Sequence, residues 1–226
     1  MSQKYSMVVF DMAGTTVDED NLVYKLMHET ILSDGYECSL SMVLAVGAGK
    51  EKKDAFREVL LELGVFAPDN IAKRLNEKFQ QNLFDAYLKA NVKSMPGAEA
   101  VFKQLRQNEI LVVLNTGYHA TIAKLLLDKL NWKVGEEIDL LVTASDVNKG
   151  RPSPDMILLA MEKLHIINPN SVVKVGDSIV DIMEGKNAGC GINIGVTTGA
   201  QNEEMLLMAA PDFVIHGLDE ILPIVL

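Results

Sequence analysis

With 226 residues, 48% of them hydrophobic and 23% charged, the chain is long enough for one large core, or for a core with a smaller insert, and its composition is that of a globular protein. A formal charge of −10 and a pI near 4.9 argue against nucleic acid as the main partner, because phosphate backbones are bound by clustered Lys and Arg. No apolar run approaches the roughly 18 residues that span a bilayer, so no membrane partner is expected and a small-molecule substrate is.

The first element is the run YSMVVFDMAGTTVDED, residues 5–20. A short β-branched and aromatic strand ends abruptly in Asp11, and a Gly and two Thr wrap round it, which makes a nucleophile or metal site out of a position that could otherwise only cap a turn. The strand begins so near the N-terminus that no signal peptide is expected before it. Cys38 and Cys190 are far apart and lack metal-ligand spacing, which fits a reducing cytoplasm.

Residues 21–91 carry apolar side chains at three- and four-residue spacings and almost nothing strand-like, so they read as a helical bundle. Gly35 and Gly64 are its expected stops, and Pro68-Asp69-Asn70 restarts it. From Met95 the pattern changes to alternating helices and strands, with strands ILVVLNTG, DLLVT, SVVKVGD, INIGV and FVIHG. Such short, nearly continuous apolar runs separated by helices predict an α/β fold: a doubly wound parallel sheet, Rossmann-like, with helices on both faces. The first strand must join that sheet. The expected division is therefore a catalytic core over 1–16 and 94–226, with a helical cap over 17–93 inserted after strand one.

Ligands of such sheets bind at the carboxyl ends of strands, where strand order reverses. Those ends carry Asp11, Asn115-Thr116-Gly117, the loop 145–154, and Gly176-Asp177-Ser178 with Asp181. Three carboxylates, a hydroxyl at Thr116 and a cation at Lys149 or Arg151 would converge. Carboxylates brought together repel and need a counter-ion; hard oxygen ligands with open positions suit Mg²⁺ shared with a substrate phosphate. The set reads as a phosphoryl-transfer site in which one carboxylate attacks.

In order, DMAGTT, LNTGY, NKGRPSPD and VGDSIVD resemble the four motifs of the haloacid dehalogenase superfamily of hydrolases. The resemblance implies Asp11 as nucleophile forming an aspartyl-phosphate, Thr116 on the phosphoryl group, Arg151 neutralising it, and Mg²⁺ on Asp11, the Ala13 carbonyl and Asp177, supported by Asp181. Most phosphatases of this superfamily carry a second Asp two residues after the nucleophile, as the acid for the leaving alkoxide. Ala13 stands there instead, and general acid catalysis commonly supplies ~10²–10⁴-fold.

The phosphonatase branch, the phosphonoacetaldehyde hydrolases, lacks that acid, and FDMAGTTVD is similar to its first motif. In that branch a cap lysine after a Met-Gly-x-x-Lys segment forms a Schiff base with the aldehyde. Val46-Gly47-Ala48-Gly49-Lys50 occupies the corresponding place, so Lys50 is the candidate, with Lys52 and Lys53 nearby to depress its pKa. Thr15, Asn115, Gly117 and Lys53 complete the expected substrate contacts; Lys53 stands where the branch has a His, and Asn21 where it has a Cys. His119 and Tyr118 follow Thr116 near the site. Expected chemistry is P–C cleavage of phosphonoacetaldehyde or a close analogue; the alternative is a P–O phosphatase acting on a small phosphate ester, and a non-catalytic binding protein on this fold is a third reading. A cap helix near 42–61 could pair two subunits.

Overall fold

Alternation within the apolar runs decides which face of the sheet each side chain covers. In β1 (Met7–Phe10), Val8 and Phe10 join one core layer with Phe102 and Leu105, while Met7 and Val9 join the opposite layer with Met156, Ile157 and Ala160. The computed structural model describes residues 4–226, and residues 1–3 of the expected core segment lie outside the described residues. After β1 come the short strand β2 (Val17–Asp18) and four helices, α1 (Leu22–Ser33), α2 (Leu40–Gly47), α3 (Lys52–Glu62) and α4 (Asp69–Lys89). Strand β3 (Lys93–Ser94) then pairs antiparallel with β2. The remainder alternates as α5 (Ala98–Gln107), β4 (Leu111–Thr116), α6 (Ala120–Leu130), β5 (Leu140–Thr143), α7 (Asp155–Lys163), β6 (Val172–Gly176), α8 (Ile179–Ala188), β7 (Ile192–Val196), α9 (Glu203–Leu207), β8 (Phe213–Ile215) and α10 (Leu222–Val225).

The six core strands form one parallel sheet in the order β5-β4-β1-β6-β7-β8. β1 is therefore central, and the chain winds outward from it in both directions, so its C-terminal end is the switch point of the sheet. Register makes this concrete: Phe10 pairs with Leu114 of β4 and Val175 of β6. One residue further along the three strands lie Asp11, Asn115 and Gly176.

The four helices between β2 and β3 pack on one another around Met27, Val43, Phe56, Leu60 and Phe79, with Phe56 and Phe79 edge to face at 5.6 Å. Among the described residues, no helix is long and apolar enough to cross a membrane. The continuous helix expected near 42–61 is instead broken into α2 and α3. Ala48 turns extended and Gly49 takes φ +71°, a left-handed conformation that costs glycine little. That break aims the 48–51 loop at the sheet. A Cβ on Gly49 would stand 2.3 Å from Ser178 Oγ, so only glycine permits this approach.

Gly49→Ala is accordingly expected to lower kcat/KM about 10²-fold by holding the 48–51 loop off the sheet, and to cost about 1–2 kcal/mol of stability because alanine is strained at this positive φ. Steady-state kinetics paired with thermal melts check this; unchanged kinetics would mean that the contact is not used in turnover.

Candidate active site

The strand ends deliver a buried charged network. Arg151 Nη1 donates to Asp11 Oδ1 at 2.6 Å and lies 2.9 Å from Asp181 Oδ1; its Nε lies 3.1 Å from Glu184 Oε2. Arg151 Nη2 donates to the Asn115 carbonyl at 2.7 Å and to Asn115 Oδ1 at 2.6 Å. Lys174, fully buried in β6, donates to Asn115 Oδ1 at 2.7 Å and stands 3.1 Å from Asp181 and 3.2 Å from Glu184. The Asn115 amide nitrogen donates to both Glu184 oxygens at 2.9 Å. Breaking one partner out of such a network leaves an uncompensated buried charge, at a cost of roughly 3–5 kcal/mol.

The loops are shaped to hold these groups. Thr16 Oγ1 donates to the Asp11 carbonyl at 2.9 Å, tying down the turn after β1. Ser178 caps α8, and its hydroxyl donates to Asp181 Oδ2 at 2.5 Å. Asp177 Oδ2 accepts from Ala200 N at 2.6 Å. Gly14, at φ +80°, passes so close that a Cβ would stand 2.4 Å from Asp177 Oδ2.

Asp11, Asp177 and Asp181 each offer a carboxylate oxygen, all within 4.8 Å of one another. Burial raises the Asp11 pKa, more than Arg151 lowers it, and burial together with the Asp11 and Asp181 charges pushes Asp177 well above its ordinary 3.8. Burial acts on Asp181 in the same sense, but Arg151 and Lys174 outweigh it and hold this carboxyl low. Among the described residues, Asp11, Asp181 and Glu184 make ion pairs only with Arg151 and Lys174, and Asp177 makes none, so four carboxyl groups meet two paired cations. Among the described residues, no hydrogen bond reaches Asp11 Oδ2. A hard divalent cation fits this donor set: it would match the excess charge and use the free oxygen.

Above the carboxylates the 48–51 loop and α1 close a cavity of about 20 Å³, room for about one water. Asp11, Ala13, Thr116, Gly117, Arg151 and Asp177 form its floor. Its roof is Tyr24, Gly49, Lys52 and Tyr118. Lys52 is 7% exposed; its Nζ lies 5.2 Å from the Tyr24 ring centroid and 5.8 Å from that of Tyr118. Burial lowers its pKa below 10.5, partly offset by Asp11, Glu51 and Glu19.

Lys52, two residues beyond the expected Lys50, is the lysine that faces this cavity. Lys50 is a third exposed and its amine lies 4.0 Å from Glu58; its contribution to the site is a carbonyl that accepts from Lys52 Nζ at 3.3 Å. Lys53 and Lys149 are exposed and line no part of the cavity. Lys52 lies on the apolar stripe of α3 with Ala55, Phe56, Val59 and Leu60. That 3.6-residue periodicity, read back from Phe56, was the available signal for it.

Asn115 is wholly buried with its amide committed to Arg151, Lys174 and Glu184, so it orients the arginine and lies outside the cavity wall. Thr15 is wholly buried, its hydroxyl without a hydrogen-bond partner, and is likewise outside the wall. His119 is exposed and caps α6. Lys174, Glu184 and Tyr24 were not singled out from sequence, since each acts across distances that local pattern does not encode.

The family model for haloacid dehalogenase-like hydrolases matches residues 5–189. The chain belongs to this family of hydrolases. It is 30% identical over 225 residues to a phosphonoacetaldehyde hydrolase of Parabacteroides distasonis, an alignment that covers 88% of this chain and 78% of the relative. Among solved structures, the phosphonoacetaldehyde hydrolase-like protein of Oleispira antarctica superposes with a TM-score of 0.82 at 23% identity, covering 98% of this chain and 91% of the other. A predicted phosphoglycolate phosphatase of Haemophilus somnus superposes at 0.79 and 16% identity, covering 99% of each chain. These two likenesses carry the fold alone, an α/β architecture with a six-stranded parallel sheet.

Proposed function

We propose that this hydrolase cleaves the P–C bond of phosphonoacetaldehyde or a close analogue. The observation that carries the reading is the pairing of a missing acid with a buried amine: Ala13 stands two residues beyond Asp11, and Lys52 faces the same cavity with a depressed pKa. A carbon leaving group without a core acid needs an electron sink, and a neutral lysine supplies one as an imine.

Lys52 Nζ adds to the aldehyde carbon and water leaves, giving the imine. An Asp11 oxygen attacks phosphorus and the P–C bond breaks, its electron pair running to the imine nitrogen to give an enamine. Protonation of that carbon and hydrolysis release acetaldehyde and restore Lys52. A further water cleaves the aspartyl-phosphate. The net reaction consumes one water and yields acetaldehyde and phosphate. Arg151 holds Asp11 in line, and Thr116 is placed to receive a phosphoryl oxygen. Tyr24 and Tyr118 exclude water around the amine, which keeps it desolvated.

Asp11, Asp177 and the Ala13 carbonyl would hold Mg²⁺, with Asp181 in support; bound there, Mg²⁺ offsets charge on the phosphoryl oxygens. A Mg²⁺-dependent stabilisation of about 2.7 kcal/mol is expected at a hundredfold excess over Kd, read as a rise in melting temperature. A carboxyl whose folded pKa is raised binds the ion in competition with a proton, so the rise is larger at pH 8 than at pH 6. It should vanish in Asp177→Asn. A rise independent of pH and of Asp177 would place the ion elsewhere.

A second reading, P–O hydrolysis of a small phosphate ester, draws on the same lysine, which when protonated could serve as the leaving-group acid that Ala13 cannot. Phosphate release from phosphonoacetaldehyde and from a panel of phosphate esters, each with Mg²⁺, separates the two. Release from esters alone, surviving borohydride treatment, would overturn the first reading in favour of the second.

A further inference from the structure

Outside the closed cavity lies a second, larger space that the proposed chemistry does not use. A groove of about 500 Å³ runs between α3 and α4 on the cap side and the loops after β4 and β5 on the core side. It shares Lys52, Gly117 and Tyr118 with the inner cavity, so the two volumes meet at the amine. The inner cavity, about 20 Å³, has room for about one water and none for a substrate tail. The groove lies within the ~300–1,000 Å³ range of small-molecule sites, and a two-carbon aldehyde leaves it empty.

Its wall mixes apolar surface from Leu83 and Ala144 with polar side chains, and its titratable groups are Glu51, Lys52, Tyr118 and the exposed His119. Gln80 Nε2 donates to Asn76 Oδ1 at 3.4 Å, which leaves the Gln80 carbonyl oxygen and the Asn76 amide nitrogen without hydrogen bonds among the described residues. Ser145 brings a hydroxyl from the core side. Glu51 adds a carboxylate with one oxygen taken by Asp54 N at 3.1 Å and the other free. Apart from Lys52, no Lys or Arg among the described residues lines the groove. Uncharged hydroxyl groups match these donors and acceptors, whereas an anionic tail would meet Glu51 unpaired.

We propose that the groove is a leaving-group subsite, and that the substrate is a β-oxophosphonate whose carbonyl carries a neutral, hydroxylated tail of several atoms. This rests on the imine reading, which fixes the carbonyl carbon at Lys52 and so directs its second substituent into the groove.

Binding isolates the subsite from the chemistry. Three β-ketophosphonates, with a methyl, a dihydroxyethyl and a carboxyethyl tail, are titrated calorimetrically into Asp11→Asn protein with Mg²⁺. The dihydroxyethyl compound should bind at least tenfold tighter than the methyl compound, and the carboxyethyl compound no tighter than the methyl one. The tenfold gain should disappear in the Asn76→Leu/Gln80→Leu double variant and in Ser145→Trp, which fills the groove from the core side. Equal affinity for the methyl and dihydroxyethyl compounds, or a gain that survives both sets of substitutions, overturns the proposal. Phosphate release from phosphonoacetaldehyde by the wild type is read alongside. Turnover without a tail effect overturns the subsite alone; a tail effect with no phosphate released by the wild type from either phosphonoacetaldehyde or the dihydroxyethyl compound overturns the P–C reading and the proposal with it.

Discussion

Asp11→Asn is expected to reduce phosphate release by at least about 10⁴-fold while leaving the fold intact. An amide oxygen is a poor nucleophile, and loss of the attacking atom removes the covalent route as a whole. The position tolerates the exchange because Arg151, which donates to Asp11 at 2.6 Å, keeps Asp181 at 2.9 Å and Glu184 at 3.1 Å. Stability should move the other way from activity. The folded Asp11 carboxyl titrates above its ordinary 3.8, chiefly through burial. The native state therefore binds more protons than the unfolded chain, and this carboxyl costs stability as pH rises above that ordinary value. In metal-free protein at neutral pH, asparagine should leave the melting temperature equal or higher. Kinetics and melts on one preparation check both halves; activity within tenfold of wild type would place the nucleophile elsewhere.

Lys52→Met should cost P–C cleavage on the order of 10³-fold or more, about 4 kcal/mol of barrier. Methionine keeps the unbranched stem of the side chain, one atom shorter, but has no amine and cannot form an imine. Lys50→Ala should stay within about threefold, since an ion pair as exposed as the one with Glu58 is worth under about 1 kcal/mol. The folded Lys52 pKa lies below 10.5 because of burial. The native state thus binds fewer protons than the unfolded chain below that value, so charged Lys52 costs stability at neutral pH and Lys52→Met should raise the melting temperature. Activity on phosphonoacetaldehyde should rise with pH along an acid limb set by this amine. Equal losses in both lysine variants would mean that cap packing, rather than the amine, sets the rate.

Much of this arrangement was legible because it rests on local pattern. The runs at Met7–Phe10, Leu111–Thr116 and Val172–Gly176 are apolar on both faces, which points to a covered parallel sheet, and their common C-terminal edge assembles Asp11, Thr116 and Asp177. The helical run between β2 and β3 showed in its spacing, as did the glycine stops at Gly35 and Gly64, both at positive φ. The failures lie where long-range contacts decide. The resemblance of Val46-Gly47-Ala48-Gly49-Lys50 to a Met-Gly-x-x-Lys segment points to Lys50, whereas the break at Ala48-Gly49 turns the chain so that Lys52, first residue of α3, faces the cavity. The commitment of Asn115 to Lys174 and Glu184 joins residues 59 and 69 positions apart, and no periodicity in either segment records it.

The assignment of an imine to Lys52 is tested most directly by trapping. Protein incubated with Mg²⁺ and phosphonoacetaldehyde is reduced with borohydride, digested, and the modified peptide sequenced by mass spectrometry. The account predicts a single reduced adduct on Lys52, with loss of activity in proportion to its formation; an adduct on Lys50 alone, or full phosphate release with no adduct on any lysine, would contradict it.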